Sequence, residues 1–155
     1  MRLSAKADYA CLAMLELAAT MDATQPTRIK AIADTHQIPQ RFLVQILLQL
    51  KTSGLVKSVR GASGGYNLAR KPENISIADV IRAVDDRALA APEDTNFQTS
   101  SSIVNALSET WKQVHTEQLR ILEKLSLAQR FCAGPTLTMY PAIKFNLNYA
   151  SGISG

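Results

Sequence analysis

Apolar residues recur every three to four positions through the first fifty residues of the chain, and the polar breaks between them mark out three helices. Ser4 is the expected cap of the first, which runs to about Thr20 with Ala7, Ala10, Leu12, Met14, Leu15, Leu17 and Ala18 as its apolar faces and Tyr9 and Cys11 in core turns. Thr27 is the expected cap of a short second helix, where Ile29, Ile32 and Ala33 keep the spacing. His36-Gln37-Ile38-Pro39 interrupts it, and a third begins near Gln40. Two short helices joined by a tight turn predict a helix-turn-helix. The third, QRFLVQILLQLKTSG, places Leu43, Ile46, Leu47 and Leu50 on one face and closes at Gly54.

Past Gly54 the period becomes that of strands. Leu55 to Val59 and Tyr66 to Leu68 read as two short strands, and the glycines of VRGASGGYNL between them allow the chain to reverse. A hairpin directly after a helix-turn-helix predicts a winged helix over residues 1–87. A loop is expected over 88–102 and one long helix over 103–131. In that helix Val104, Leu107, Trp111, Val114, Gln118, Ile121, Leu125 and Ala128 recur at steps of three and four. Such a seam packs either on a partner helix or on its own domain, and Gln118 is its one polar member. The tail 132–155 gives no readable pattern. The fold class is therefore mainly α with a small β-hairpin: a winged helix-turn-helix followed by a long C-terminal helix, a dimerisation helix if its seam packs on a partner.

Charge gives the first part of the chain a chemical character. Of the 155 residues, 1–87 hold twelve Lys and Arg against eight Asp and Glu, whereas 88–155 hold five of each. Between 28 and 71 the cations Arg28, Lys30, Arg41, Lys51, Lys57, Arg60, Arg70 and Lys71 face one acid, Asp34. A patterned, ordered segment of this charge fits a surface for a polyanion; the alternative is a basic face with no partner. Gln40, Arg41 and Gln45 add a second signal. Gln pairs with adenine and Arg with guanine in the major groove, although a glutamine-rich surface helix would look the same. Val44 and Leu48 point to the same side, for thymine methyls or for packing. Arg60, at the base of the wing, is placed for the minor groove or a phosphate. A phosphate cradle formed by the glycines alone would need a helix straight after them, and a strand and Arg70-Lys71-Pro72 follow instead.

Other chemistry is thinly represented. Cys11 and Cys132 are the only cysteines, far apart, so neither a disulfide framework nor a spaced zinc site is expected, and no metal or cofactor is implied. Cys11 reads as a small core residue. Cys132, after Arg130, is either inert or a redox-sensitive thiol whose pKa a nearby cation lowers. His36 and His115 lack a nearby nucleophile or paired carboxylates, so no enzyme is expected. No apolar run approaches membrane-spanning length and MRLSAKADYA lacks a signal peptide's apolar stretch, so a cytoplasmic location is expected.

The start MRLSAKADYA, Phe42-Leu43 in the third helix, GLVKSVRGASGGYNLAR from Gly54 to Arg70 and ISIADVIRAVDD from Ile75 to Asp86 together resemble the IscR, NsrR and CymR family of bacterial winged-helix transcription regulators. The likeness is clear over 1–87 and extends by pattern into the long helix. It implies a homodimer on a palindromic DNA operator, joined through the long helix, with its third helix in the major groove and its wing arginine in the minor groove. The DNA-binding residues so expected are Arg28, Gln40, Arg41, Gln45, Lys57, Ser58, Arg60, Gly61, Ser63 and Gly64. The dimer residues are Val104, Leu107, Trp111, Val114, Gln118, Ile121 and Leu125.

Three departures stand out. Val44 occupies a position where cluster-dependent relatives can carry a glutamate that tunes operator choice. Gln37 stands where a glycine is often found, which an ordinary backbone angle would accommodate. Iron–sulfur members of the family carry three cysteines between the helix after the wing and the long helix. The matching RALAAPEDTNFQTSSSIVNALSETW has no cysteine and no histidine, so no cluster is expected in that manner. The leading expectation is a sequence-specific transcription regulator, a repressor that answers some other signal, small-molecule or protein. The alternative is a winged-helix module that docks another protein without specific DNA binding.

Overall fold

Helix α1 (Ala5–Ala19) lies at the centre of the fold, packed against the helices over Ile29–His36, Gln40–Thr52, Ile77–Val84 and Leu127–Phe131 and against the second strand of the hairpin. Its buried face is Ala7, Ala10, Ala13, Met14, Leu17 and Ala18, and the alanines keep it thin enough for neighbours to approach from several sides. In this computed structural model residues 3–91 and 101–131 are described. Ser4 begins α1 as its sequence suggests, its Oγ accepting from the Ala7 amide at 3.2 Å. The same hydroxyl donates to Asp85 Oδ2 at 2.6 Å, which ties the start of α1 to the end of α4 (Ile77–Val84).

Helices α2 (Ile29–His36) and α3 (Gln40–Thr52) form the helix-turn-helix. The turn corrects one expectation. Gln37 has φ 53° and ψ 36°, in the left-handed region, so its backbone angle is not ordinary and a side chain sits where glycine is the unstrained choice. The geometry is imposed from both sides: Ile38 is buried and donates to the Ala33 carbonyl, while Pro39 accepts from the Phe42 and Leu43 amides to start α3. His36 Nε2 stands 3.0 Å from Glu16 Oε2 and pins the entrance of the turn to α1.

Helix α3 buries Leu43, Ile46, Leu47 and Leu50 and ends in a left-handed glycine. Gly54 has φ 68°; its amide bonds the Lys51 carbonyl and the Leu55 amide bonds the Leu50 carbonyl, the double bond of a Schellman motif with Leu50 and Leu55 both in the core. That motif aims the chain into β1 (Val56–Val59), which pairs antiparallel with β2 (Gly65–Leu68) in the register Val56 to Leu68 and Val59 to Gly65. After a 3-10 turn at Pro72–Asn74, Ser76 and Asp79 cap α4 reciprocally, and Ala78, Val80, Ile81 and Val84 enter the core.

Two boundaries differ from the sequence reading. Of the expected loop over 88–102, residues 92–100 lie outside the described residues, and Ala88 and Leu89 belong instead to a 3-10 turn at Asp86–Leu89 that carries Leu89 into the core. The expected single helix over 103–131 is divided. Helix α5 spans Ser102–Lys124, Leu125 and Ser126 are extended, and α6 (Leu127–Phe131) follows. No proline or glycine causes the break. Ile77 donates to the Leu125 carbonyl at 2.8 Å and Leu127 to the Ile75 carbonyl at 2.9 Å, so the strand-like pairing of Ser126 with Ser76 replaces helical bonds. The pairing turns Leu127 into the core with no exposed surface. Leu125 is thus a joint between helices, and Ala128 is buried against the chain's own domain.

Candidate nucleic-acid interface

The outward side of α3 is built by the same periodicity that fills its core side. Arg41, Val44, Gln45 and Leu48 follow one another at i, i+3, i+4 and i+7 opposite Leu43, Ile46, Leu47 and Leu50, and all four are exposed. Gln40 and Gln49 are exposed too. Phe42 is partly exposed for a different reason: its ring meets Tyr9 edge-on, centroids 5.8 Å apart, and so bridges α3 to α1.

Three connections fix the hairpin relative to this helix. Lys51 Nζ, in the last turn of α3, donates to Ser58 Oγ in β1 at 2.8 Å. Arg28, just before α2, donates from its guanidinium to the Ala62 carbonyl at the hairpin tip, 3.2 Å away. Thr27 pairs with Tyr66 through two backbone hydrogen bonds of 3.0 and 2.8 Å, adding a one-residue third strand to the ribbon. This pairing corrects the expected cap of α2. With Thr27 drawn onto the sheet and its hydroxyl 2.6 Å from that of Thr20, the N-cap falls on Arg28, whose side chain makes no capping bond.

The glycines of the tip are needed for different reasons. Gly61 has φ 114°, a conformation for which glycine is suited. Gly65 is required by proximity: a Cβ there would lie 2.5 Å from the Thr27 carbonyl oxygen. Gly64 is similarly enclosed, its would-be Cβ 2.6 Å from the Val59 carbonyl oxygen. The result is a short, tightly closed tip on which Arg60, Gly61 and Ser63 are exposed, with Lys57 exposed on β1. Arg60 makes no hydrogen bond or ion pair with any described residue, so its charge is available to a ligand.

Of the residues expected to meet DNA, Gln40, Arg41 and Gln45 therefore lie on the exposed side of α3, and Lys57, Arg60, Gly61 and Ser63 on the hairpin. Ser58 and Arg28 are partly engaged in holding the hairpin, and Gly64 in closing it. Lys51 belongs with them as the residue that joins helix to hairpin. Its presence in the basic run is legible in the sequence, its partner is not.

Helix α5 carries a second uncovered surface. It packs on α4 through its C-terminal half, where Leu119 and Leu122 meet the core. Along an adjoining edge Ile103, Leu107, Trp111, Val114 and Ile121 remain exposed, Trp111 and Ile121 each by 54%. Val104 and Gln118 are half-buried beside them. Ile103 was not part of the expected seam and joins it. Cys132 and the tail lie outside the described residues.

The resemblance raises the fit of an iron–sulfur cluster. Such a group needs thiolates, and the segment between α4 and α5 contains none; among the described residues no three His, Cys, Asp or Glu side chains gather closely enough to hold a metal ion. The donor set does not fit. No helix among the described residues is long and apolar enough to cross a membrane.

Comparison with known proteins follows the same lines. Residues 3–131 match the family model Rrf2, described as an iron-dependent transcriptional regulator. A Mycobacterium tuberculosis protein named as an HTH-type transcriptional regulator is 41% identical over 130 residues, 83% of this chain and 80% of that protein. Among solved structures, CymR, the global cysteine regulator of Bacillus subtilis, superposes with a TM-score of 0.74 at 30% identity, covering 84% of this chain and 95% of that one. IscR of T. potens superposes at 0.70 and 29% identity, covering 90% of this chain and 93% of that one.

Proposed function

The chain belongs to the Rrf2 family of winged-helix transcriptional regulators, and on that premise we propose that it is a repressor that binds a palindromic DNA operator as a homodimer in the cytoplasm. The observation that carries this reading is the joining of two exposed surfaces. The Arg41–Gln45 side of α3 and the Arg60 tip are braced together by Lys51 and Ser58. A helix presenting Arg and Gln suits base edges in the major groove, and a cation on a narrow ribbon beside it suits the minor groove or its phosphates.

The exposed edge of α5 supplies the second half of the proposal. Five large apolar side chains left uncovered on one helix favour burial against a second copy. A two-fold pair of winged domains then meets two half-sites separated by a helical turn or a multiple of it. Since the donors between α4 and α5 do not fit a cluster, the signal is other than an iron–sulfur centre.

Selection of bound sequences from a random DNA pool tests this directly. The expected result is an enriched palindrome whose affinity falls steeply with salt, from protein that is colourless and iron-free when purified without oxygen. Absence of any enriched sequence would favour the protein-docking reading. Brown protein with stoichiometric iron and sulfide would overturn the statement about the signal.

A further inference from the structure

The outward side of α3 is not uniformly polar. Between Arg41 and Gln45 stands Val44, 39% exposed, and one turn on stands Leu48, 55% exposed. These two are i and i+4 neighbours and lie away from the buried Leu43, Ile46, Leu47 and Leu50, so they are no extension of the core. Phe42, as exposed as Val44, differs in that its ring meets Tyr9 of α1 edge-on. Thr52, the next residue on this side, donates its hydroxyl to the Leu48 carbonyl at 3.0 Å and so is committed to its own helix. The apolar pair shares its helix with the exposed cations Arg41 and Lys51, and Lys51 ties that helix to the hairpin on which Lys57 and Arg60 are exposed. An apolar protein surface would leave these charges desolvated, whereas a polyanion with an apolar spot matches both.

In the major groove one base alone offers such a spot, the 5-methyl of thymine. We propose that Val44 and Leu48 read thymine methyl groups, fixing a thymine in each half-site beside the bases that meet Arg41 and Gln45. The proposal rests on the reading of the chain as a sequence-specific DNA-binding regulator. It also accounts for discrimination. An isopropyl or isobutyl group pressed over the N4 amine of cytosine or the N6 amine of adenine would strip water from a donor and give it no partner. Over thymine it covers carbon with carbon.

The test uses the full chain and the sequence it enriches from a random pool. Each thymine of both half-sites is replaced in turn by deoxyuridine, which removes the 5-methyl and leaves the base-pairing edge and charge unchanged. At one or two thymines per half-site affinity should fall roughly fourfold per methyl, the equivalent of one buried carbon returned to water. Leu48→Ala or Val44→Ala should erase that difference at the corresponding thymine while leaving the bases at the Arg41 and Gln45 positions still selected. Both side chains lie outside the core, so an unchanged melting temperature verifies that the variants fold. Sequence-specific binding that tolerates deoxyuridine everywhere would overturn the proposal and leave the regulator reading intact. So would a deoxyuridine effect that persists in both alanine variants. If the pool yields no enriched sequence, the regulator reading fails and this proposal fails with it.

Discussion

The ammonium of Lys51 donates to the hydroxyl of Ser58 across 2.8 Å, joining the last turn of α3 to the first strand of the hairpin. The bond is exposed, so its net contribution to folding is about 0.5–1 kcal/mol. Its larger effect is to fix the angle at which helix and hairpin face a ligand together. Ser58→Ala should therefore lower operator affinity several-fold in a fluorescence titration while moving the melting temperature by only a few degrees.

Arg60 is a loop cation with no bond to the rest of the described chain, so Arg60→Ala should leave folding and assembly unchanged. Operator binding should weaken, and the slope of log affinity against log salt should become shallower by about 1 per protomer. A titration at three salt concentrations checks both; an unaltered slope would remove the hairpin from the interface.

Ile121 lies on the exposed edge of α5 and is 54% exposed. Ile121→Asp should yield a helical monomer in sedimentation velocity that no longer binds the palindrome, because a carboxylate buried in an apolar seam without a partner costs several kcal/mol. Trp111→Ala should act in the same direction. A variant that stays dimeric would place the contact elsewhere.

At the turn of the helix-turn-helix, Gln37 holds φ 53°. Left-handed geometry costs a residue with a Cβ about 1–2 kcal/mol, and the added freedom of glycine in the unfolded chain returns part of that. Gln37→Gly should raise stability by roughly 0.5–1 kcal/mol in urea unfolding.

The Cys11 thiol is pushed up to about 12, by burial first and by the charge of Asp8 second. It is therefore neutral in the folded protein at pH 8 and should resist iodoacetamide until urea is added, as peptide mass spectrometry would show. The sign for stability follows. The unfolded thiol ionises near pH 9 and the folded one does not, so the contribution is whole below pH 9 and is lost as pH rises toward 12. Cys11→Ala should remove a slope of at most about 1.4 kcal/mol per pH unit in that window.

Much of this molecule is written locally. The 3.6-residue period of α1 and α3, Ser4 as a cap, Gly54 as a stop and the strand pattern on either side of VRGASGG are short-range chemistry, and each element appears where that chemistry puts it. The exposed side of α3 is equally legible, since filling one helical face with leucine and isoleucine dictates that Arg41 and Gln45 face outward.

What tertiary structure decided are the places where two distant segments compete for one backbone. Thr27 has every local reason to cap α2, yet pairs with Tyr66 because Gly65 lets the chains close to hydrogen-bonding distance. Gln37 takes a left-handed angle because the burial of Ile38 and the start of α3 over-determine the turn. The stripe from Val104 to Ala128 reads as one helix, but Ser76 draws Ser126 into a strand-like pair and Leu127 falls into the core, dividing it at Leu125. A sequence pattern records which face of an element is apolar. The choice among apolar surfaces, and the choice between a helical bond and a bond to a segment fifty residues away, is made by packing energy that exists only once the parts have met.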